Sequence, residues 1–355
     1  MAFDYTHVPS FIAAIKEEKP FSTFLKDRYF PNGENFATDE VLVEYKKGNK
    51  KLAPFVAPRV GGVTMKRDGY SAKTFAPAYI APKRNLTIDD LKKKRMGESL
   101  YSQMTPEDRA SEIMLDDENE LDESIARREN WMAAQLLINA SIIMEEKTEN
   151  PDVNIEKEIY FYEGDSNDWI YTPSTDWSNP DADIIGDIAA MCQAQASNGV
   201  QGTELLVDAV VGAAILNNKK IKELLDNRNY NVGTVDPVLK EFSVAKLATL
   251  NCNGYVVDIL QYVEEYEDDN GKSIPYLPKG YAVLLAPACG TTSYGAVTQL
   301  EDDEEWHTYA ENRVPLILTD KKGQSKELRL AAAPLLMPIR HKAWMTAKVI
   351  TISNS

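Results

Sequence analysis

From Glu107 to Lys147 the chain carries neither proline nor glycine, and nothing else in its 355 residues restricts the fold as strongly. Thr105-Pro106-Glu107-Asp108 opens this stretch with a helix start. A threonine stands at the cap, proline at the first helical position, and two acids lie against the positive end of the helix dipole. Met114, Leu121, Ile125, Met132 and Leu136 then recur at spacings of seven, four, seven and four, which is one stripe of a helix. The pattern predicts a helix over 106–146. At 1.5 Å per residue, about 35 residues make a rod of roughly 50 Å, some three times the mean helix length. The stripe allows a break only near Asp116 to Asn119.

The segment before this helix has the opposite character. From Leu52 to Pro82 it is interrupted by Pro54, Pro58, Pro77 and Pro82, and Gly61-Gly62 and Asp68-Gly69 supply turns. Proline cannot donate to a sheet ladder, so a central strand is excluded. The expectation is a long hairpin-like loop, entered from a strand at Val41–Tyr45 and too thin to bury a core of its own. Loops of this length are uncommon in compact domains and are usually functional or held by a partner.

Charge follows the same division. Lys46 to Arg95 holds fourteen basic residues against three acids, a net charge of +11 in a chain of −16, so the remainder sums to −27. Glu107 to Glu123 holds nine acids against Arg109 alone. Charge this concentrated needs a counter-surface, either a foreign anion or an acidic face on another copy. A pI near 4.8 opposes bulk nucleic-acid binding, because most of the surface would repel a phosphate backbone. We therefore expect the loop cations Lys50, Lys51, Arg59, Lys66, Arg67 and Lys73 to face the helix acids Glu112, Asp116, Asp117, Glu120 and Glu123 of a neighbouring copy.

The remainder reads as a mixed fold. Residues 1–40 form an arm whose aromatics, among them Phe21, Phe24, Tyr29 and Phe30, dock on a neighbouring copy or on the chain's own core. Strands are expected at Val153–Tyr162, Tyr255–Val263, Tyr281–Pro287, Glu327–Met337 and Ala343–Ile352, and helices at Ile184–Ala196 and Asn217–Asn227. No regular βαβ alternation and no internal repeat is present, so the class is α+β, with length for two compact domains.

Nothing in the sequence indicates chemistry. There is no nucleotide-binding glycine motif, no nucleophile elbow and no zinc-protease motif. His7, His307 and His341 carry no ligand spacing, and Cys192, Cys252 and Cys289 form no CxxC pair. Cys289-Gly-Thr-Thr-Ser-Tyr-Gly295 invites a nucleophile reading, but a tight bend of small residues accounts for it. Glu301–Glu305 lacks the alternation and glycine of a calcium loop and reads as a solvated turn. Lys92–Arg95 has few interleaved aromatics and reads as a solvated or protein-facing patch. We expect no catalytic residues, no metal and no cofactor. Met1–Lys16 does not read as a secretion signal, and no apolar run spans a membrane.

Phe55-Val-Ala-Pro-Arg-Val-Gly-Gly62, Phe75-Ala-Pro-Ala-Tyr-Ile-Ala-Pro-Lys83 and Arg95-Met-Gly-Glu98 stand in that order before the long helix. Thr175-Asp-Trp-Ser178 precedes the helix start at Asp181–Ile185, and Ala332-Ala-Pro-Leu-Leu-Met337 and Trp344–Ile352 close the chain. In this colinear order the motifs resemble the lambda-type major capsid proteins of tailed phages, the major capsid protein E family. The chain departs from that pattern in being slightly longer and in carrying more acid on the helix and at Glu265–Asp269. The resemblance implies the Hong Kong 97-type capsid fold, with an N-terminal arm (1–40), an extended loop or E-loop with flanking strands (41–95), a peripheral domain (96–179) with its spine helix at 106–146, an axial domain (180–325), and returning peripheral and axial strands (326–355). It implies a subunit that forms the hexamers and pentamers of an icosahedral shell around double-stranded DNA. Scaffold and portal proteins, and in some relatives a decoration protein, are the implied partners, and packaged DNA is held without sequence specificity. The implied location is the virion capsid, after synthesis in the bacterial cytoplasm. The resemblance also argues against covalent cross-links through lysines such as Lys50, Lys51, Lys66 and Lys73. Two other readings compete, a cellular nanocompartment shell of the same fold and a cytoplasmic enzyme with an unrecognised site.

Overall fold

A computed structural model describes residues 21–38, 40–45, 71–93, 105–147, 154–162, 167–226, 233–234, 238–241, 243–268, 270–301 and 304–352. The long helix spans Pro106–Asn139, 34 residues, so about 50 Å. Its start is a reciprocal capping box. The Asp108 N–H donates to the Thr105 hydroxyl at 3.1 Å, and the Thr105 N–H donates to the Asp108 carboxylate at 3.3 Å.

The helix stops seven residues short of the expected 146. Ala140 adopts a left-handed φ of +53° and donates its N–H to the Leu136 carbonyl at 2.8 Å. Ser141–Lys147 then forms a strand, paired antiparallel with Asn154–Tyr160. Ile142 lies opposite Ile159 in this pair and both are buried. A left-handed alanine costs roughly 1–2 kcal/mol; burial of two isoleucines offsets that at about 1.5–3 kcal/mol each.

Along its length the helix packs against two different bodies. Leu121 and Ile125 sit on Leu328, Leu330 and Ala332. The two leucines belong to a three-stranded antiparallel sheet ordered Val314–Asp320, Ser325–Ala331, Lys83–Thr87. Met132, Ala133, Leu136 and Leu137 instead join the largest cluster, together with the short arm helix Phe24–Tyr29. The described part of the arm thus docks on the chain's own core, with Tyr29 and Phe30 fully buried.

The largest sheet has eight strands. Their order is Ile170–Tyr171, Met345–Lys348, Tyr281–Leu285, Glu204–Val207, Tyr255–Tyr262, Val244–Cys252 and Gly233–Thr234, with Val238–Glu241 also paired to Val244–Cys252. The strands expected at Tyr255–Val263 and Tyr281–Pro287 do not pair with each other. Glu204–Val207 lies between them, parallel to the first and antiparallel to the second. Its four residues are all buried, as a strand covered on both faces requires. Side chains alternate across it. Leu206, Val283 and Leu285 face the helix and arm. Leu205, Val207, Ala282 and Leu284 face a second cluster covered by helices Ile184–Ser197, Ala209–Asn217 and Lys219–Asp226. The turn after Tyr262 carries a small hairpin of its own, Glu265–Glu267 with Ser273–Pro275.

Two further expectations change. The single strand expected over Glu327–Met337 is two, Ser325–Ala331 and Pro334–Pro338, and the bend expected after Cys289 is the strand Gly290–Tyr294 that pairs with the second of them. Val41–Tyr45 pairs in full register with Ser71–Phe75, forming the base of the expected loop. Phe75 is buried against Phe161, ring centroids 4.6 Å apart, and Ile80 bridges to Ala332, so the returning limb belongs to the core.

Candidate assembly surfaces

The acid-rich face of the long helix is partly neutralised from within the chain. Arg84, on the edge strand Lys83–Thr87, reaches Asp117 at 2.7 Å and Glu120 at 2.7 Å. Glu123 pairs with Arg127 one turn away at 2.8 Å, and Asp122 with Arg313 at 2.6 Å. Lys83 meets Glu327 at 3.0 Å, while Lys92 and Lys93 meet Asp89 and Asp90 at 3.4 and 3.9 Å. Asp117, Glu120 and Glu123 were expected to receive a neighbour's cations, and here cations of their own chain hold them. Sequence distance hides this, since Arg84 and Asp117 meet only because the strand lies along the helix. Glu112 and Asp116 are exposed beside these pairs. A cleft of about 320 Å³ opens there, lined by Arg84, Asn85, Leu86, Asp90, Ile113 and Asp117. Of the loop cations, Lys73 is half-buried opposite Val43. Lys50, Lys51, Arg59, Lys66 and Arg67 lie outside the described residues.

Sequence reasoning missed the polar anchors that fix these surfaces. Glu204 is buried mid-sheet; its two oxygens accept from Nε and Nη2 of the Arg28 guanidinium, and Oε2 also from the Tyr29 hydroxyl at 3.0 Å. The paired carboxylate raises the Arg28 pKa, so that cation stays charged. Asn130 is fully buried in the helix. It accepts from the Lys26 N–H at 3.2 Å and donates to the Ser22 carbonyl at 3.3 Å and to the Tyr262 hydroxyl at 3.0 Å. One amide thereby joins arm, helix and sheet. Arg313 forks onto buried Glu129 at 2.8 and 3.3 Å. Asp187 accepts from Tyr171 and from the Trp177 indole, both at 2.8 Å. A polar residue within an apolar helical stripe, as at Glu129-Asn130, was the available signal.

The thiols are not nucleophiles. Cys289 is 7% exposed, and its S–H points to the Tyr29 carbonyl at 3.8 Å. Burial pushes its pKa up to about 12, and likewise that of Cys252 to about 12 and Cys192 to about 11. His307 lies 4.0 Å from Glu301, and His341 stands edge-on to Tyr162. His7 lies outside the described residues.

The model of one family, described as phage major capsid protein E, matches residues 8–349. The chain belongs to the phage major capsid protein E family. It is 23% identical to the major capsid protein of Enterobacteria phage P21 over 329 residues, 91% of this chain and 92% of that one. It is 22% identical to the major capsid protein of Escherichia phage lambda over 298 residues, 83% and 84% of the two chains. Among solved structures it is similar to a prophage capsid protein of Escherichia coli, with a TM-score of 0.61, 17% identity, and 96% and 95% of the chains covered. A phage-related protein of Bordetella bronchiseptica gives 0.52 at 13% identity, with 97% of each chain covered. The fold is therefore the Hong Kong 97-type capsid fold, and membership of the E family makes this a structural shell protein of the virion, not an enzyme. The same membership decides against a nanocompartment shell or a cytoplasmic enzyme. Among the described residues no helix is long and apolar enough to cross a membrane.

Proposed function

We propose that this capsid subunit forms hexamers and pentamers of an icosahedral shell around double-stranded DNA, locked by its basic loop lying over the next subunit. In that arrangement residues 1–40 are the arm, 41–95 the E-loop and its strands, 96–179 the peripheral domain, 180–325 the axial domain, and 326–355 the returning strands. Assembly on a scaffold and around a portal in the bacterial cytoplasm, and decoration after it, belong to the same reading. The observation that carries it is the hairpin base Val41–Tyr45 with Ser71–Phe75, which joins the two ends of the basic stretch 46–70 to the folded body. Exposed pairs contribute only about 0–1 kcal/mol each, but repeated over a shell they set register and reject wrong contacts.

The test removes the segment and keeps its base. Replacing residues 49–68 by a short linker leaves Phe75 and the paired strands in place. The expected product is soluble, with near-native circular dichroism, and forms no shells by negative-stain microscopy. Shells of normal yield would show that the loop does not lock neighbours. Charge reversal at Asp117 is unsuited to this test, because it would break the Arg84 pair within the same chain.

A further inference from the structure

Trp306 is 73% exposed, on a hairpin that cannot turn to hide it. Val297–Leu300 pairs with Trp306–Tyr309, setting Leu300 directly opposite Trp306 and Thr298 opposite Thr308. Leu300, Trp306 and the two threonines share the outward face. Val297 and Gln299 on the other face are buried. The Gln299 amide donates to the Pro315 carbonyl at 3.2 Å and accepts from Arg329 at 3.3 Å. Rolling the hairpin over would strand those bonds and still leave an apolar face in water.

A second hairpin, Val314–Asp320 with Ser325–Ala331, grows from the same small core of Val297, Val314, Ala331 and Ala333. Its first strand is the edge of the three-stranded sheet and exposes Ile317 and Leu318. Edge strands with exposed apolar residues invite another chain. The tips carry opposite charge. The turn of the first hairpin carries Glu301, Glu304 and Glu305, and the turn of the second holds Lys321 and Lys322, both exposed and without an ion pair among the described residues. Each subunit thus presents an acidic tip beside Trp306 and Leu300, and a basic tip beyond Ile317 and Leu318.

We infer that a second copy of this chain covers Trp306. The acidic hairpin of one subunit seats on the basic hairpin of the next, in a heterologous contact that repeats around an axis of the shell. Two complementary half-sites on one chain are what such a head-to-tail contact needs. The indole and Leu300 supply the desolvated centre and the charged tips the rim that fixes register. The inference rests on the subunit role above and adds the surface through which copies meet.

Trp306 itself is the probe. Of the five tryptophans, Trp169, Trp177 and Trp344 are buried and Trp131 is half-buried under Arg128. Acrylamide quenching of the unassembled chain should come mainly from Trp306 and disappear in Trp306→Phe. On assembly of the wild-type chain most of that quenching should be lost. Trp306→Ser, and separately Lys321→Glu with Lys322→Glu, should abolish assembly while the unassembled chains keep wild-type circular dichroism. Adding Glu304→Lys with Glu305→Lys to the lysine reversal should restore assembly, because the charges are exchanged and remain complementary. Bare particles in which Trp306 stays quenchable would overturn the contact, as would protection that appears only when a second protein is added. A wild-type chain that never assembles would instead sink the shell reading itself.

Discussion

The eight-stranded sheet and the three-stranded sheet are held together by different physics. In the first, Leu205, Leu206, Val207, Val283, Leu284 and Ile259 are fully buried, and packed helices or the arm cover both faces. In the second, Leu121, Ile125, Leu328, Leu330 and Ala332 make up most of the core, and Arg84, Lys83 and Arg313 join sheet, helix and hairpin by ion pairs. Apolar burial stabilises by about 25 cal/mol per Å², whereas exposed ion pairs contribute little. The second is thin, and it is the one that exposes Ile317 and the charged helix face.

Thiol chemistry gives the largest contrast. Cys192, Cys252 and Cys289 are all buried, Cys192 and Cys252 in the main sheet's second core and Cys289 in its first. At about pH 8, near the free thiol pKa, a disulfide reagent should titrate no thiols in the native chain and three in denaturant. The sign follows from linkage. Folded thiol pKa values are raised, so their stabilising contribution is full below the unfolded value. It is lost as pH rises toward the folded values of about 11 to 12. A rapidly reacting native thiol would show that the sheet opens.

Arg28→Met comes next. It leaves the Glu204 side chain buried under the arm without its cation, at a cost of about 3–5 kcal/mol by analogy with broken buried pairs. Urea unfolding of the unassembled chain should show that loss, and amide exchange should quicken in Phe24–Tyr29. A loss well under 1 kcal/mol would mean that the arm helix is held by its aromatics alone.

The smallest effect belongs to the thin body. Arg84→Met removes two pairs made by a side chain that is 44% exposed, and the expected cost is about 1 kcal/mol or less at low salt. The difference from wild type should shrink as salt is raised. A cost as large as that of Arg28→Met, unchanged by salt, would erase the distinction between the two bodies.

How much of this was legible in the chain depends on the range of the interaction. The start of the long helix was written locally, because Thr105 to Asp108 hold every atom of the capping box and the seven-four repeat holds the stripe. The outgoing strand Val41–Tyr45 was equally plain from its β-branched and aromatic residues, but its partner Ser71–Phe75 lies within the stretch read as loop. The end of the helix was not plain. Ala140 is a poor residue for a left-handed turn, and the asparagine stands one position early, as Asn139 within the helix. The chain turns there because Ile142 finds Ile159 across a strand pair and both enter the core.

Charge shows the same limit. The sequence determined that a basic segment and an acidic helix exist, and composition alone set their imbalance. Only the tertiary structure decided that Arg84 closes on Asp117 and Glu120 of its own chain. Likewise, nothing local in Glu204-Leu-Leu-Val207 announces that it lies between Tyr255–Tyr262 and Tyr281–Leu285 and offers a buried carboxylate to Arg28. Capping and periodicity act within a few residues and can be read along the chain. Strand order and the partners of charges depend on which distant segments share a face, and packing settles that.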